Sequence, residues 1–169
     1  MPDEPRIKFT QAQTKQFYET VERRVSSAGV FCETKDGKLL INKANYKRHW
    51  SIPGGIIDAQ ETPREAAVRE TFEEMGITLD ANDLRFVAVI DRFSKGLGHT
   101  YQFIFTTQID DKIADAIVLQ ADEIDEFAFI SAEEVFANKQ TGGRWLGKAI
   151  FHWAHKKTGY IEQTFSYDE

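Results

Sequence analysis

The sequence predicts an α/β (α+β) fold, a mixed β-sheet with helices on both faces. Three observations carry this. Helical and strand signals interleave along the chain in the order helix, strands, helix, strands, helices, the pattern of layered sheet folds. An Asp36-Gly37 pair between two apolar runs marks an antiparallel hairpin, so the sheet is not purely parallel. A strongly punctuated helix over 63–75 and an amphipathic one over 145–157 supply the covering layers. The 169 residues suit one domain, 1–169, with 1–24 as a helical extension within it.

Residues 10–23 form the first predicted helix, with Thr10 as cap and Phe17, Tyr18 and Val21 as a short apolar stripe; a packing role is expected. Strands follow over 25–33 and 38–43. The central helix has Thr62 at N-cap, Pro63 at N1 and Glu65 at N3, a capping box, and Gly76 at the αL position that ends it. Its apolar residues Val68, Phe72 and Met75 are expected to face the core, and Ile77 to pack back on Phe72. Ala66 and Ala67 fall near the opposite side, where small side chains would admit a loop or ligand. Strands over 84–93 and 100–109 come next, then a short one over 126–130. Ser131 and Glu134 make a second capping box for a short helix. The last helix gathers Trp145, Leu146, Ala149, Ile150 and Trp153 on one face, which leaves Phe151 off the stripe. The tail after Gly159 shows no clear pattern.

Glu70, Glu73 and Glu74 stand at i, i+3 and i+4, on one face of the central helix. Like charges at this spacing cost roughly 0.2–0.5 kcal/mol per pair, and the helix dipole disfavours anions in the last turn. A bound cation would offset both costs. Carboxylate oxygens are hard ligands that suit Mg²⁺ or Mn²⁺, and no thiolate or clustered histidine nearby favours zinc. His152 and His155 lack an evident third ligand, and His99 is expected as a loop histidine. A carboxylate-bound Mg²⁺ fits phosphate chemistry. Just before this stretch, Lys43, Lys47, Arg48 and His49 make a basic run in an acidic chain; two readings stand, a solvated loop or contacts to ligand phosphates.

Composition narrows the partners. A net charge of −6 argues against bulk nucleic-acid binding. No apolar run approaches a membrane span, Cys32 is the only cysteine, and the first residues lack a signal-peptide pattern. A soluble, cytoplasmic protein without a membrane partner is expected.

The stretch Gly55 to Ile77 closely resembles the Nudix box, G-x5-E-x7-R-E-U-x-E-E-x-G-U with U a bulky apolar residue. Gly55, Glu61, Arg69-Glu70, Glu73-Glu74, Gly76 and Ile77 stand at the required positions; Thr71 occupies a U position, and Gln60 stands where many members have glycine. The resemblance implies an α/β/α sandwich and Mg²⁺-dependent hydrolysis of a nucleoside diphosphate linked to another moiety. It implies Glu70, Glu73 and Glu74 as metal ligands with a backbone carbonyl at Gly54 or Gly55. It also implies that a Glu61–Arg69 ion pair braces the loop against the helix. The catalytic base is implied either on the box helix, at Glu73 or Glu74, or in a later loop, where Glu123 and Glu126 are the candidates. Lys43, Lys47 and Arg48 are candidate phosphate contacts, and Tyr101 is a candidate base-stacking residue. A homodimer would be ordinary for the family. The markers linked with ADP-ribose, dinucleoside polyphosphate, coenzyme A and NADH substrates are not evident, which leaves the substrate open. Two alternatives stand beside hydrolysis: a non-catalytic nucleotide-sensing module, and a structural domain with a solvated acidic helix.

Overall fold

The computed structural model describes residues 9–96, 98–137 and 146–165. Its centre is a seven-stranded mixed sheet. The strands are β1 (Ser26–Glu33), β2 (Leu39–Ala44), β3 (Gly54–Ile56), β4 (Arg85–Ser94), β5 (Gly98–Gln108), β6 (Ile124–Ile130) and β7 (Gly159–Phe165). They lie in the order β6-β2-β1-β5-β4-β7, with β3 paired to β1. The helices are α1 (Gln11–Thr20), α2 (Pro63–Met75), α3 (Asp111–Asp115), α4 (Ala132–Ala137) and α5 (Gly147–Ala154). The β1–β5 and β4–β7 pairs are parallel and the others antiparallel. The mixed sheet between helical layers is the architecture expected.

Two apolar clusters fill the two faces. Phe31, Ile52, Ile90, Ile104, Ala149 and Ile150 gather under α5. Ala28, Val30, Ala66, Ala67, Met75 and Phe105 gather under α2. The predicted hairpin forms at Asp36-Gly37, where Gly37 takes a φ of 78°. The two strands then part. β1 pairs with β2 only at Glu33↔Leu39, and its other half, Ser27 to Gly29, pairs with β3. Val30 N–H bonds the Pro53 carbonyl and Asn42 exchanges two bonds with Ser51, so the 45–53 loop sits in the splay between the strands. That splay opens a cleft beside α2.

Several expectations change. On α2 the buried residues are Ala66, Ala67, Thr71, Glu74 and Met75, while Phe72 is 56% exposed. α2 lies directly over β1 and β3, and a Cβ on Gly55 would collide with the Glu70 carboxylate. The alanines, Thr71 and Met75 take the buried face, and the phenylalanine faces out. Ile77 packs in the α2 core cluster. Thr71 fills its buried position by donating its hydroxyl to the Ala67 carbonyl at 2.7 Å. The first helix has its Thr10 capping box but no buried residue, so it covers no core. β3, α3 and β7 were not expected; the tail becomes β7 because its backbone extends the sheet parallel to β4. The last helix spans 147–154, and Trp145 lies outside the described residues.

Candidate active site

The predicted caps of α2 are present. Thr62 accepts from Glu65 N–H, Glu65 returns the bond to Thr62, and Gly76 ends the helix at φ 69°. Beyond Gly76, Val118 N–H bonds the Met75 carbonyl at 3.0 Å and Gln120 N–H the Glu74 carbonyl at 3.1 Å. These bonds satisfy the open carbonyls of the helix end. They also pin the following turn, which carries Glu123, against the carboxylate end of α2.

A cleft of about 600 Å³ results, lined by Glu70, Glu73, Glu74 and Glu123 together with Lys47, His49, Arg92 and Gln102. Gly54, Gly55, Asp58 and Tyr46 complete it. Arg69 organises the acidic side. Its guanidinium donates to Glu61 at 2.9 and 3.0 Å, to Glu70 at 2.8 Å, to Glu73 at 2.9 Å and to the Ile56 carbonyl at 3.0 Å. These contacts raise the guanidinium's already high pKa, Glu61 first among them, and the same bond holds the Glu61 carboxyl below its ordinary value. The expected Glu61–Arg69 brace is thus in place, and it also holds two carboxylates.

Glu74 is only 4% exposed. Its Oε2 accepts from Asn42 Nδ2 and from Gly54 N–H, both at 2.9 Å. Burial pushes its carboxyl up to about 7, against the opposing pull of the Gly54 bond. Burial likewise raises Glu70, and the Arg69 bond opposes it. Glu123 accepts from the Tyr46 hydroxyl at 3.0 Å, and Asn45 bonds the backbone on both sides of it, at the Asp122 and Glu123 carbonyls.

The other predicted residues lie elsewhere. Glu126 pairs with Lys43 at 3.3 Å across β2 and β6 and does not line the cleft. Arg48 is exposed outside it. Tyr101 sits under the Arg24 guanidinium, 5.9 Å from the ring centroid. Asn42, Tyr46, Arg92 and Gln102 were not singled out from the sequence. Each lies on a strand or loop whose place beside α2 depends on long-range pairing, and no local spacing marks it.

Among the described residues, no three His, Cys, Asp or Glu side chains converge into a ready-made metal cage. The donor set nonetheless suits a hard cation. Arg69 engages Glu70 through Oε1 and Glu73 through Oε2, and Glu74 is engaged through Oε2, so one oxygen of each carboxylate stands outside these bonds. Gly55 leaves Glu70 the space that a Cβ would fill.

The mixed sheet carries α2, with its carboxylates, beside β1 and β3. The NUDIX domain family profile matches residues 23–153, and the chain belongs to the Nudix family. Hydrolases of this family generally use divalent metal ions. A human diphosphoinositol polyphosphate phosphohydrolase is 28% identical over 113 residues, 66% of this chain and 61% of the relative. The chain thus spans about three fifths of that relative's length. The NUDIX domain of Shewanella oneidensis NrtR complexed with ADP ribose shares the fold at a TM-score of 0.69 and 14% identity, covering 88% of this chain and 99% of that one. A C. elegans Ap4A hydrolase shares it at 0.65 and 23% identity, covering 78% and 96%.

Proposed function

We propose that the protein is a Mg²⁺-dependent pyrophosphohydrolase acting on a nucleoside diphosphate linked to another moiety, or on a related phosphoanhydride. The observation that carries this is the gathering of Glu70, Glu73, Glu74 and Glu123 in one cleft that Lys47 and Arg92 also line. Glu70, Glu73 and Glu74, with the Gly55 carbonyl, would hold Mg²⁺, and Mn²⁺ could replace it. The bound ion supplies charge neutralisation and polarisation of a phosphoryl oxygen. Arg69 and Glu61 keep the carboxylates in place. Asn42 and Gly54 fix the rotamer of Glu74 by bonding its Oε2.

Glu123 is the base in this reading. It lines the cleft, and Tyr46 orients it, whereas Glu126 is taken up by Lys43. Glu123 accepts a proton from water; the water oxygen bonds to phosphorus; the bond from phosphorus to the bridging oxygen breaks, and the leaving phosphate departs with the electron pair. Lys47 offers charge to the phosphates from the loop above. The name of the human relative, a diphosphoinositol polyphosphate phosphohydrolase, supports the reaction type. Paired variants test the base: Glu123→Gln should lower kcat about 10²–10⁴-fold, and Glu126→Gln should leave it within a few-fold. The reverse ranking would remove Glu123 from the role.

A further inference from the structure

Regular pairing between β2 and β6 ends at Lys43 and Glu126. The next residue of β2, Ala44, pairs with Ile124, so Asp125 is an extra residue on β6. A bulge of this kind interrupts the ladder and bends the strand that carries it. The turn just before β6, which bears Glu123, therefore lies beyond the regular strand bonds. Asn45 takes over. Its backbone N–H donates to the Glu123 carbonyl at 2.9 Å, and its side-chain Nδ2 donates to the Asp122 carbonyl at 2.7 Å. A carbonyl can only accept, so the second bond requires the amide nitrogen of this side chain and not merely its bulk.

The same turn has a second anchor. Gln120 N–H bonds the Glu74 carbonyl at 3.1 Å, and the Gln120 carbonyl accepts from Glu123 N–H at 3.0 Å and from Ile124 N–H at 2.8 Å. Glu74 is in turn held through its carboxylate by Asn42, three residues before Asn45 on the same stretch of chain. These contacts close a ring. It runs from Glu74 to Asn42, along the end of β2 to Asn45, across to Asp122 and Glu123, and back through Gln120 to Glu74. One side of the ring carries a carboxylate of the α2 cluster and the other side carries Glu123. A closed ring fixes the separation of the two, which a single tether would leave free to vary.

We propose that Asn45 is a positioning residue for the hydrolytic reaction: by tying the Asp122 and Glu123 carbonyls to the end of β2, it holds the Glu123 carboxylate at a set distance from the α2 carboxylates. This rests on the reading of Glu123 as the base and adds what places it. A displacement of about 1 Å in a reacting group can cost about 10²-fold in rate. A hydrogen bond from an exposed neutral amide contributes little to the stability of the fold, because water replaces it at small cost. The consequence of losing it belongs to turnover and not to folding.

Hydrogen exchange and kinetics test this together. Asn45→Leu keeps the approximate volume and removes the donor, and Asn45→Ala removes both. In each variant, amide exchange at Glu123 and Ile124 should quicken at least 10-fold, while exchange in α2 and the calorimetric affinity for Mn²⁺ stay within 3-fold. Turnover with Mg²⁺ is read on whichever of a nucleoside triphosphate, a sugar nucleotide and a dinucleoside polyphosphate the wild type hydrolyses fastest. There kcat should fall at least 10-fold in both variants, with KM changed less than 3-fold. In the Glu123→Gln background the same substitutions should cost less than 2-fold further, since a residue acting through Glu123 then has no base to place. Wild-type kcat in Asn45→Leu, unchanged exchange at Glu123, or a loss that persists in full in the Glu123→Gln background would overturn the positioning role while leaving the base assigned. Glu123→Gln with wild-type turnover would overturn the base reading itself, and the positioning role with it.

Discussion

At the scale of single residues, the site is built from side chains in costly states. Glu74 is a buried carboxyl with its pKa pushed from 4.5 up to about 7. A raised acid pKa means that the folded protein holds a proton that the unfolded chain has lost. Stability therefore falls as pH rises from 4.5 to about 7 and is flat above that range. The cost is of the order of a few kcal/mol. Glu74→Gln removes it, so without metal that variant should melt higher than the wild type at pH 8 and near it at pH 4; the same Tm difference at both pH values would contradict the account. Gly55 shows the opposite economy, a residue whose missing Cβ is its contribution. Gly55→Ala would press on the flexible end of Glu70. Activity should drop by at least 10-fold while Tm moves little, which melting and turnover measured together will show.

At the scale of the element, α2 shows what can be seen in a sequence and what cannot. Its limits, caps and carboxylate face depend on residues three or four apart, so local spacing revealed them: Thr62 with Glu65, Gly76, and Glu70 with Glu73 and Glu74. Its buried face was only partly foreseen: Met75 is buried and Val68 packs on the core cluster as expected, but Phe72 is exposed, because the way a helix turns on a sheet depends on long-range packing. Hydrophobicity pointed Phe72 inward, but Ala66, Ala67, Thr71 and Met75 are the residues that α2 buries. Substitution separates the two assignments. Ala67→Leu should overpack the helix–sheet contact and cost about 1–3 kcal/mol. Phe72→Ser, on the exposed face, should change stability by about 0.5 kcal/mol or less. Chemical denaturation of both variants measures this, and a larger loss for Phe72→Ser would restore the apolar face as the buried one.

At the scale of the whole molecule, the cleft comes from pairings that no short window contains. The β1–β2 splay admits the loop with Tyr46, Lys47 and His49, the turn after α2 delivers Glu123, and the β4–β5 pair sets Arg92 beside Gln102. The box carboxylates were legible; Asn42, Arg92 and Gln102 were not, because their relevance is created by strand order. β7, which closes the sheet edge, is tied down by a polar cluster on β4. Asp91 accepts from the Tyr160 hydroxyl at 2.9 Å and lies 2.7 Å from His99 Nδ1. The His99 bond, and less strongly that of Tyr160, hold the Asp91 carboxyl below its ordinary 3.8. A depressed carboxyl contributes stability above its unfolded pKa and loses it as pH falls through the folded one. Asp91→Asn should therefore lower Tm at pH 7, and the gap to the wild type should close as the pH is taken below 3.8. A gap that persists in acid would mean that Asp91 acts by packing alone.

The central claim joins all three scales: a carboxylate cleft that uses a divalent ion to break a phosphoanhydride. The direct measurement is phosphate and nucleotide release from a panel of nucleoside triphosphates, sugar nucleotides and dinucleoside polyphosphates, with Mg²⁺ and with chelator, for the wild type and for Glu74→Gln. The account predicts turnover that requires Mg²⁺ and falls by at least 10²-fold in Glu74→Gln while that variant remains folded. Wild-type turnover that is indifferent to chelator, or Glu74→Gln that matches the wild type, would contradict it.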